Sequence, residues 1–186
     1  ESQAAIPISD PDEMGLSPDR AAAIVATIPG YRPLFAAAFG DSAVTFDRVS
    51  KALATFERTI VSGDSAYDRY QRGDKSALTK QQRDGLDFFE GKGECAECHG
   101  GPNFTNEKFA NLGVGMDAPN PDPGREAVTG KRRDFGRFKT PTLRDISRTG
   151  PYMHDGRFHT LDEVLDFYAK AGIQNPDVDD RLLRFY

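Results

Sequence analysis

Apolar residues recur at helical spacing in four stretches of the chain, and each stretch follows a residue able to cap a helix. Ser17, with Pro18 at the first helical position, leads into a helix over Asp19–Thr27. Thr45 precedes Phe46, Val49, Leu53, Phe56 and Ile60, a spacing that predicts an amphipathic helix. Thr79 and Gln82 form a capping box for a helix ending near Gly91. Thr160 and Glu163 form another, for a helix that runs to about Lys170, before Gly172. In that last helix Leu161, Val164, Leu165 and Tyr168 fall at i, i+3, i+4 and i+7 and are expected to share one buried face. No alternating run of four or more residues predicts a major strand. The expected class is mostly α, with short helices joined by long irregular loops.

Between His99 and Thr160 lie some sixty residues rich in Gly and Pro, with little helical periodicity. Loops of that length in a compact domain are usually functional or disordered. Lys131-Arg132-Arg133, Arg137 and Lys139 add positive charge to it, which reads either as a solvated basic loop or as a site for an anionic group. There are no internal repeats and no low-complexity tracts.

Composition narrows the class. The 186 residues suffice for one ample domain, or for one domain plus part of another. Hydrophobic content is 38% and mean hydropathy −0.58, low but globular. The net charge of −5 argues against nucleic acid and anionic membrane, and permits a basic redox partner. No 18-residue apolar run predicts a membrane span. Glu1-Ser2-Gln3 opens no basic n-region and no apolar h-region, so any export signal is expected outside this sequence.

The densest chemistry lies in Cys95-Ala96-Glu97-Cys98-His99, a C-x-x-C-H motif of the kind that attaches c-type haem. Two thiols add to the haem vinyl groups as thioethers, and the adjacent imidazole coordinates iron from one face. One helical turn presents all three groups to a single porphyrin. These are the only two cysteines, so no disulfide framework competes for them. The alternatives are a redox C-x-x-C with a chance histidine, or half a zinc site, for which only His154 and His159 remain. A covalent haem would also supply missing apolar volume and give the long loop something to wrap. It requires maturation outside the cytoplasm, so the chain reads as periplasmic.

His99 supplies one axial ligand, which leaves the other face open. Met153 follows His99 by 54 residues, and His/Met ligation is common in c-type cytochromes. Met14, Met116, His154 and His159 are further candidates. Tyr168 points inward by helix geometry, and from periodicity alone an ordinary core tyrosine is the better reading.

Longer motifs carry a resemblance. They include Ala38-Phe39-Gly40, the run from Ala54 to Ser62 (A-T-F-E-R-T-I-V-S), Asp68-Arg69-Tyr70, Lys92-Gly93-Glu94-Cys95, Phe104-Thr105-Asn106 and Asn111-Leu112-Gly113-Val114. The most specific are Phe138-Lys139-Thr140-Pro141-Thr142-Leu143-Arg144-Asp145 and the run from Thr149 to Arg157 (T-G-P-Y-M-H-D-G-R). Together they resemble the bacterial di-haem cytochrome c peroxidases and the related MauG-type enzymes over nearly the whole chain.

The resemblance implies a cytochrome c-like haem domain with long loops around a covalent haem. It implies use of hydrogen peroxide, with electrons taken from a small redox protein or from oxidisable residues of a protein substrate. The family's distal ligand sits eight positions after the threonine that starts the T-L-x-E helix. It is methionine in standard peroxidases and tyrosine in MauG-type enzymes, which here gives Tyr168. Met153 matches a position that is often phenylalanine. The resemblance further implies Ca²⁺ between two haem domains, bound in part by backbone carbonyls matching Thr149 and Pro151. Gln3 and Glu13 match a glutamine and a glutamate of the peroxidatic pocket.

Family members carry a second C-x-x-C-H on an N-terminal domain, and a tryptophan between the haems. This sequence has one such motif and no tryptophan. The expected organisation is therefore residues 1–20 as the tail of a missing N-terminal peroxidatic domain and residues 21–186 as a c-type haem domain. Leu182-Leu183-Arg184-Phe185-Tyr186 would be the approach to a helix cut short. The rival from another class is a non-enzymatic mono-haem electron-transfer cytochrome.

Overall fold

The computed structural model describes residues 2–185. Its contacts divide the chain into two compact units, between Val61 and Ser62. The expected boundary at 20/21 does not coincide with that division, because the helices after residue 20 pack on the first one. Among the described residues no single helix is long and apolar enough to cross a membrane.

The first unit holds four helices: α1 (Ser2–Ser9), α2 (Pro18–Ala26), α3 (Tyr31–Phe39) and α4 (Phe46–Glu57). The caps at α2 and α4 form as their sequences imply. Ser17 accepts from the Arg20 amide and Thr45 from the Arg48 amide, each satisfying a donor the helix start leaves orphaned. α3 carries no comparable side-chain cap, and sequence periodicity revealed neither α1 nor α3.

The expected apolar face of α4 is corrected here. Val49, Ser50 and Ala54 are its buried residues, whereas Leu53 is 40%, Phe56 64% and Ile60 68% exposed. Ala4 and Ile8 on α1, Ala21 and Ala22 on α2 and Phe35 on α3 are also buried, so the core of this unit mixes small and large side chains. The buried residues of α4 itself are small, which lets backbones approach, and the bulky members of its stripe are left outside that approach.

The second unit contains α5 (Ala66–Gln71), α6 (Lys80–Glu90), the one-turn α7 (Ala96–His99), the short α8 (Glu126–Thr129) and α9 (Leu161–Ala169). Capping boxes start α5 at Ser65/Asp68, α6 at Thr79/Gln82 and α9 at Thr160/Glu163. Two-residue strands β1 (Phe109–Ala110) and β2 (Phe138–Lys139) pair antiparallel, with Phe109 opposite Lys139. The chain from Asp180 to Phe185 is a 3₁₀ turn, and the expected approach to a further helix ends on Tyr186, outside the described residues.

The long Gly/Pro-rich segment is ordered around Asn111, which is fully buried. Its amide donates to the Phe135 carbonyl at 3.1 Å and exchanges hydrogen bonds with Asn175, while its side-chain oxygen accepts from the Gly113 amide at 2.8 Å. One side chain thereby ties three remote stretches, satisfying buried polar groups that would otherwise be costly. Gly113 follows at φ +77°, and a Cβ there would meet the Ile173 carbonyl oxygen at 1.8 Å. Gly113→Ala must displace that backbone as well as strain its own, so thermal unfolding should show a loss of roughly 3 kcal/mol or more.

Candidate functional site

The C-x-x-C-H motif lies on α7 and the residue that opens it. Cys95 stands at the N-cap, and Ala96–His99 form a single turn. Both cysteines are free thiols and half-buried. Cys95 Sγ lies 3.2 Å from the Gly93 carbonyl oxygen. Burial pushes both thiols up, with each other's charge adding at Cys95 and Arg181 opposing at Cys98. A redox C-x-x-C needs a thiol held below its ordinary value, so these surroundings speak against that alternative. Among the described residues no three His, Cys, Asp or Glu side chains converge, which leaves the zinc reading without a ligand set.

His99 is oriented by the backbone. Its Nδ1 lies 3.1 Å from the Phe104 carbonyl oxygen. A carbonyl only accepts, so Nδ1 carries the proton and Nε2 keeps its lone pair. Burial pushes the imidazole down, against the opposing pull of the Phe104 and Pro141 carbonyls, which keeps it neutral and fit to bind a metal. Phe104 sits at φ +50°, an uncommon conformation for a bulky residue.

Tyr168, near the end of α9, lies within electrostatic reach of Cys98 and Cys95. Burial first, then those two sulfurs, push its phenol up to about 12. The expected shared face of α9 needs correction. Phe167 is the buried residue, packed on Phe158 with ring centroids 5.3 Å apart, while Leu161 is 36% and Leu165 62% exposed. Val164 and Tyr168 are half-buried, and the Tyr168 ring meets Phe167 edge-on with centroids 5.8 Å apart.

The other ligand candidates are engaged differently. Met116 packs against Gly136, and Met14 is 64% exposed in the first unit. His154 stacks on Phe138 at 3.5 Å between centroids. The His159 amide donates to Glu163, and its residue is exposed. Met153 is half-buried at φ +68°. Gln3 on α1 and Glu13 in the following turn are both exposed, and among the described residues no hydrogen bond joins their side chains. Thr149 and Pro151 are exposed in the turn after Arg148.

Part of the loop's positive charge is paired. Arg132 pairs with Asp177 at 2.9 Å, Arg125 with Asp134 at 3.5 Å, and Lys139 with Glu107. Arg137 differs. One of its terminal nitrogens reaches the Phe109 carbonyl at 3.4 Å, but its Nε is buried and has no partner among the described residues. A buried guanidinium donor left unpaired is costly, and an anionic group such as a haem propionate would satisfy it. Free paired thiols, a correctly protonated imidazole, a nearby phenol and this orphaned donor together fit haem c.

Sequence reasoning gave no role to Arg144, Asp68 or Thr142, although all three lie in quoted motifs. Arg144 pairs with Asp68 through both terminal nitrogens, at 2.8 and 2.9 Å. Thr142 donates to the Asn103 carbonyl at 2.5 Å. Pairing over such separations leaves no local signature in the sequence.

A mostly helical chain with a one-turn C-x-x-C-H helix and an oriented imidazole defines a c-type haem protein. A family model, di-haem cytochrome c peroxidase, matches residues 1–76. The methylamine utilization protein MauG of Methylorubrum extorquens is 41% identical over 188 residues, covering all of this chain and 52% of that protein. The cytochrome c551 peroxidase of Nitrosomonas europaea is 40% identical, covering 98% of this chain and 56% of that protein. The crystal structure of a MauG-like protein associated with microbial copper homeostasis superposes with a TM-score of 0.81 at 33% identity, over 96% of this chain and 58% of that one. The chain belongs to the di-haem cytochrome c peroxidase/MauG family. It spans about half the length of the relatives it matches.

Proposed function

We propose that this chain holds one haem c, and that it forms part of a di-haem peroxidase of MauG type. Cys95 and Cys98 would hold the haem as thioethers, and His99 through Nε2 and Tyr168 through its phenol oxygen would bind its iron. The observation that carries this reading is the single turn that presents two free thiols beside an imidazole whose Nδ1 is held by the Phe104 carbonyl. Tyr168 holds the family's ligand position, eight residues after Thr160, and a phenolate is an attested haem ligand. When bound, the haem supplies one-electron redox chemistry. The protein's part is to hold and tune it. The Phe104 carbonyl keeps the proton on His99 Nδ1, Arg137 Nε offers a donor to a propionate, and two protein ligands leave this haem closed to substrate.

The substrate of the intact enzyme is hydrogen peroxide, cleaved at a second haem on a domain outside this chain. A haem held by Cys95 and Cys98 would supply one-electron chemistry to that enzyme, and a redox protein or a protein substrate would be the source of electrons. Glu13 moves a proton between the two peroxide oxygens, and Gln3 orients the peroxide. The backbone carbonyls of Thr149 and Pro151 contribute to a Ca²⁺ site, since hard cations take oxygen ligands. The location is periplasmic, where c-type haem is attached.

The test of this reading uses the di-haem parent. Glu13→Ala should slow peroxide consumption by about 10²–10⁴-fold, the usual contribution of a general acid/base. The reduction potential of the Cys95/Cys98 haem should not move. An unchanged rate would remove Glu13 from the pocket. Complete absence of peroxide turnover in the wild-type parent would favour the electron-transfer cytochrome instead.

A further inference from the structure

The carbonyl that orients His99 belongs to a residue whose own position needs explaining. Phe104 stands at φ +50°, a conformation that persists in a bulky residue only where its surroundings over-determine it. Those surroundings are a local turn, in which the Phe104 amide donates to the Gly101 carbonyl at 3.1 Å, the rings of Tyr67 and Phe89 at 4.7 and 6.2 Å between centroids, and one remote segment. Arg144 Nε donates to the Pro102 carbonyl at 2.8 Å. Thr142 Oγ1 donates to the Asn103 carbonyl at 2.5 Å. Thr105 Oγ1 donates to the Thr140 carbonyl at 2.6 Å. Residues 140–144 therefore clamp the chain immediately before and after Phe104. The Arg144 guanidinium also lies 5.8 Å from the centroid of the Phe104 ring.

Arg144 is itself held. Asp68 on α5 takes both of its terminal nitrogens, one of which also donates to the Ser62 carbonyl at 2.8 Å. Asp68 is fixed in turn by the Ser65 amide and hydroxyl, each at 2.9 Å. The pair is well covered, with side-chain exposures of 17% for Arg144 and 15% for Asp68. The planar fork uses all three nitrogens on four different oxygens, which lysine cannot reproduce.

We infer that Arg144, anchored by Asp68, is a positioning residue that sets the Phe104 carbonyl against His99 Nδ1 and thereby tunes the reduction potential of the haem iron. The inference rests on haem attachment at Cys95 and Cys98 with His99 as ligand. A hydrogen bond from Nδ1 raises the basicity of the ring and steadies its orientation. A more basic imidazole favours ferric over ferrous iron. A loosened Phe104 carbonyl weakens that bond, and the potential rises.

The experiment uses the protein with its haem attached. Arg144→Gln and Thr142→Val each release a different carbonyl of the same loop. Each should raise the potential, shifting the ferric/ferrous ratio by roughly two- to tenfold, or ~18–59 mV for one electron. Each should also speed solvent exchange of the His99 Nδ1 proton, followed by NMR. Arg144→Lys should fail to restore either property, for want of the fork. Arg132→Gln, which breaks the Arg132–Asp177 pair away from this loop, should leave both unchanged. A lower melting temperature with unmoved potential and exchange would overturn the inference and leave Arg144 a structural tie. Should Arg144→Gln fail to fold, Thr142→Val decides by the same two readouts. Haem extracted whole from the wild-type protein by acid–acetone would instead sink the attachment on which the inference rests.

Discussion

The double substitution Cys95→Ala/Cys98→Ala should release all haem from the denatured polypeptide, whereas the wild-type protein should keep one haem through acid–acetone extraction. The two thiols are free, half-buried and presented by a single turn. Burial pushes both thiols up, away from the low values of redox-active cysteines. Each single substitution should leave one thioether and a changed pyridine haemochrome band. The haem-free variant should also lose stability, because a cofactor bound only to the folded state contributes its binding free energy to folding. Haem that stays with the double variant after extraction would refute attachment through these residues.

Much of the local structure was legible in the sequence because it is written locally. A cap needs only Ser17 ahead of Pro18, or Thr160 three residues before Glu163, and those caps form. The C-x-x-C-H turn is equally local. Burial was less legible. The stripe from Phe46 to Ile60 has helical spacing, yet the helix buries Val49, Ser50 and Ala54, because its small side chains are the ones that let neighbouring backbones approach. The same holds in α9, where Phe167 finds Phe158 and the expected stripe lies elsewhere. Least legible were the long-range ties. Asn111 meets Asn175 across 64 positions and Arg144 meets Asp68 across 76, and no periodicity encodes such meetings. The loop that looked structureless is ordered by them.

Tyr168→Met should raise the reduction potential of the haem by on the order of 10² mV, since axial ligands set haem potentials over a range of about 0.8 V. Methionine ligation raises the potential of c-type cytochromes. An anionic phenolate does the reverse, stabilising ferric iron. In its protein setting the Tyr168 phenol is pushed up to about 12, mainly by burial, so its anion is disfavoured by roughly 3 kcal/mol relative to water. Ferric iron offsets that cost when it binds the phenolate, and ferrous iron offsets it less. The burial that penalises a free phenolate therefore leaves the ferric state as the one in which the ligand is held. Tyr168→Phe removes the oxygen while keeping the ring, and should change the ferric spectrum as the sixth position opens or a neighbour enters. Spectroelectrochemical titration of both variants beside the wild-type protein measures each effect. A potential and a ferric spectrum that stay fixed in either variant would make Tyr168 an ordinary core tyrosine. Met153 would then become the leading ligand, and the chain would align with the standard peroxidases rather than with the MauG-type branch.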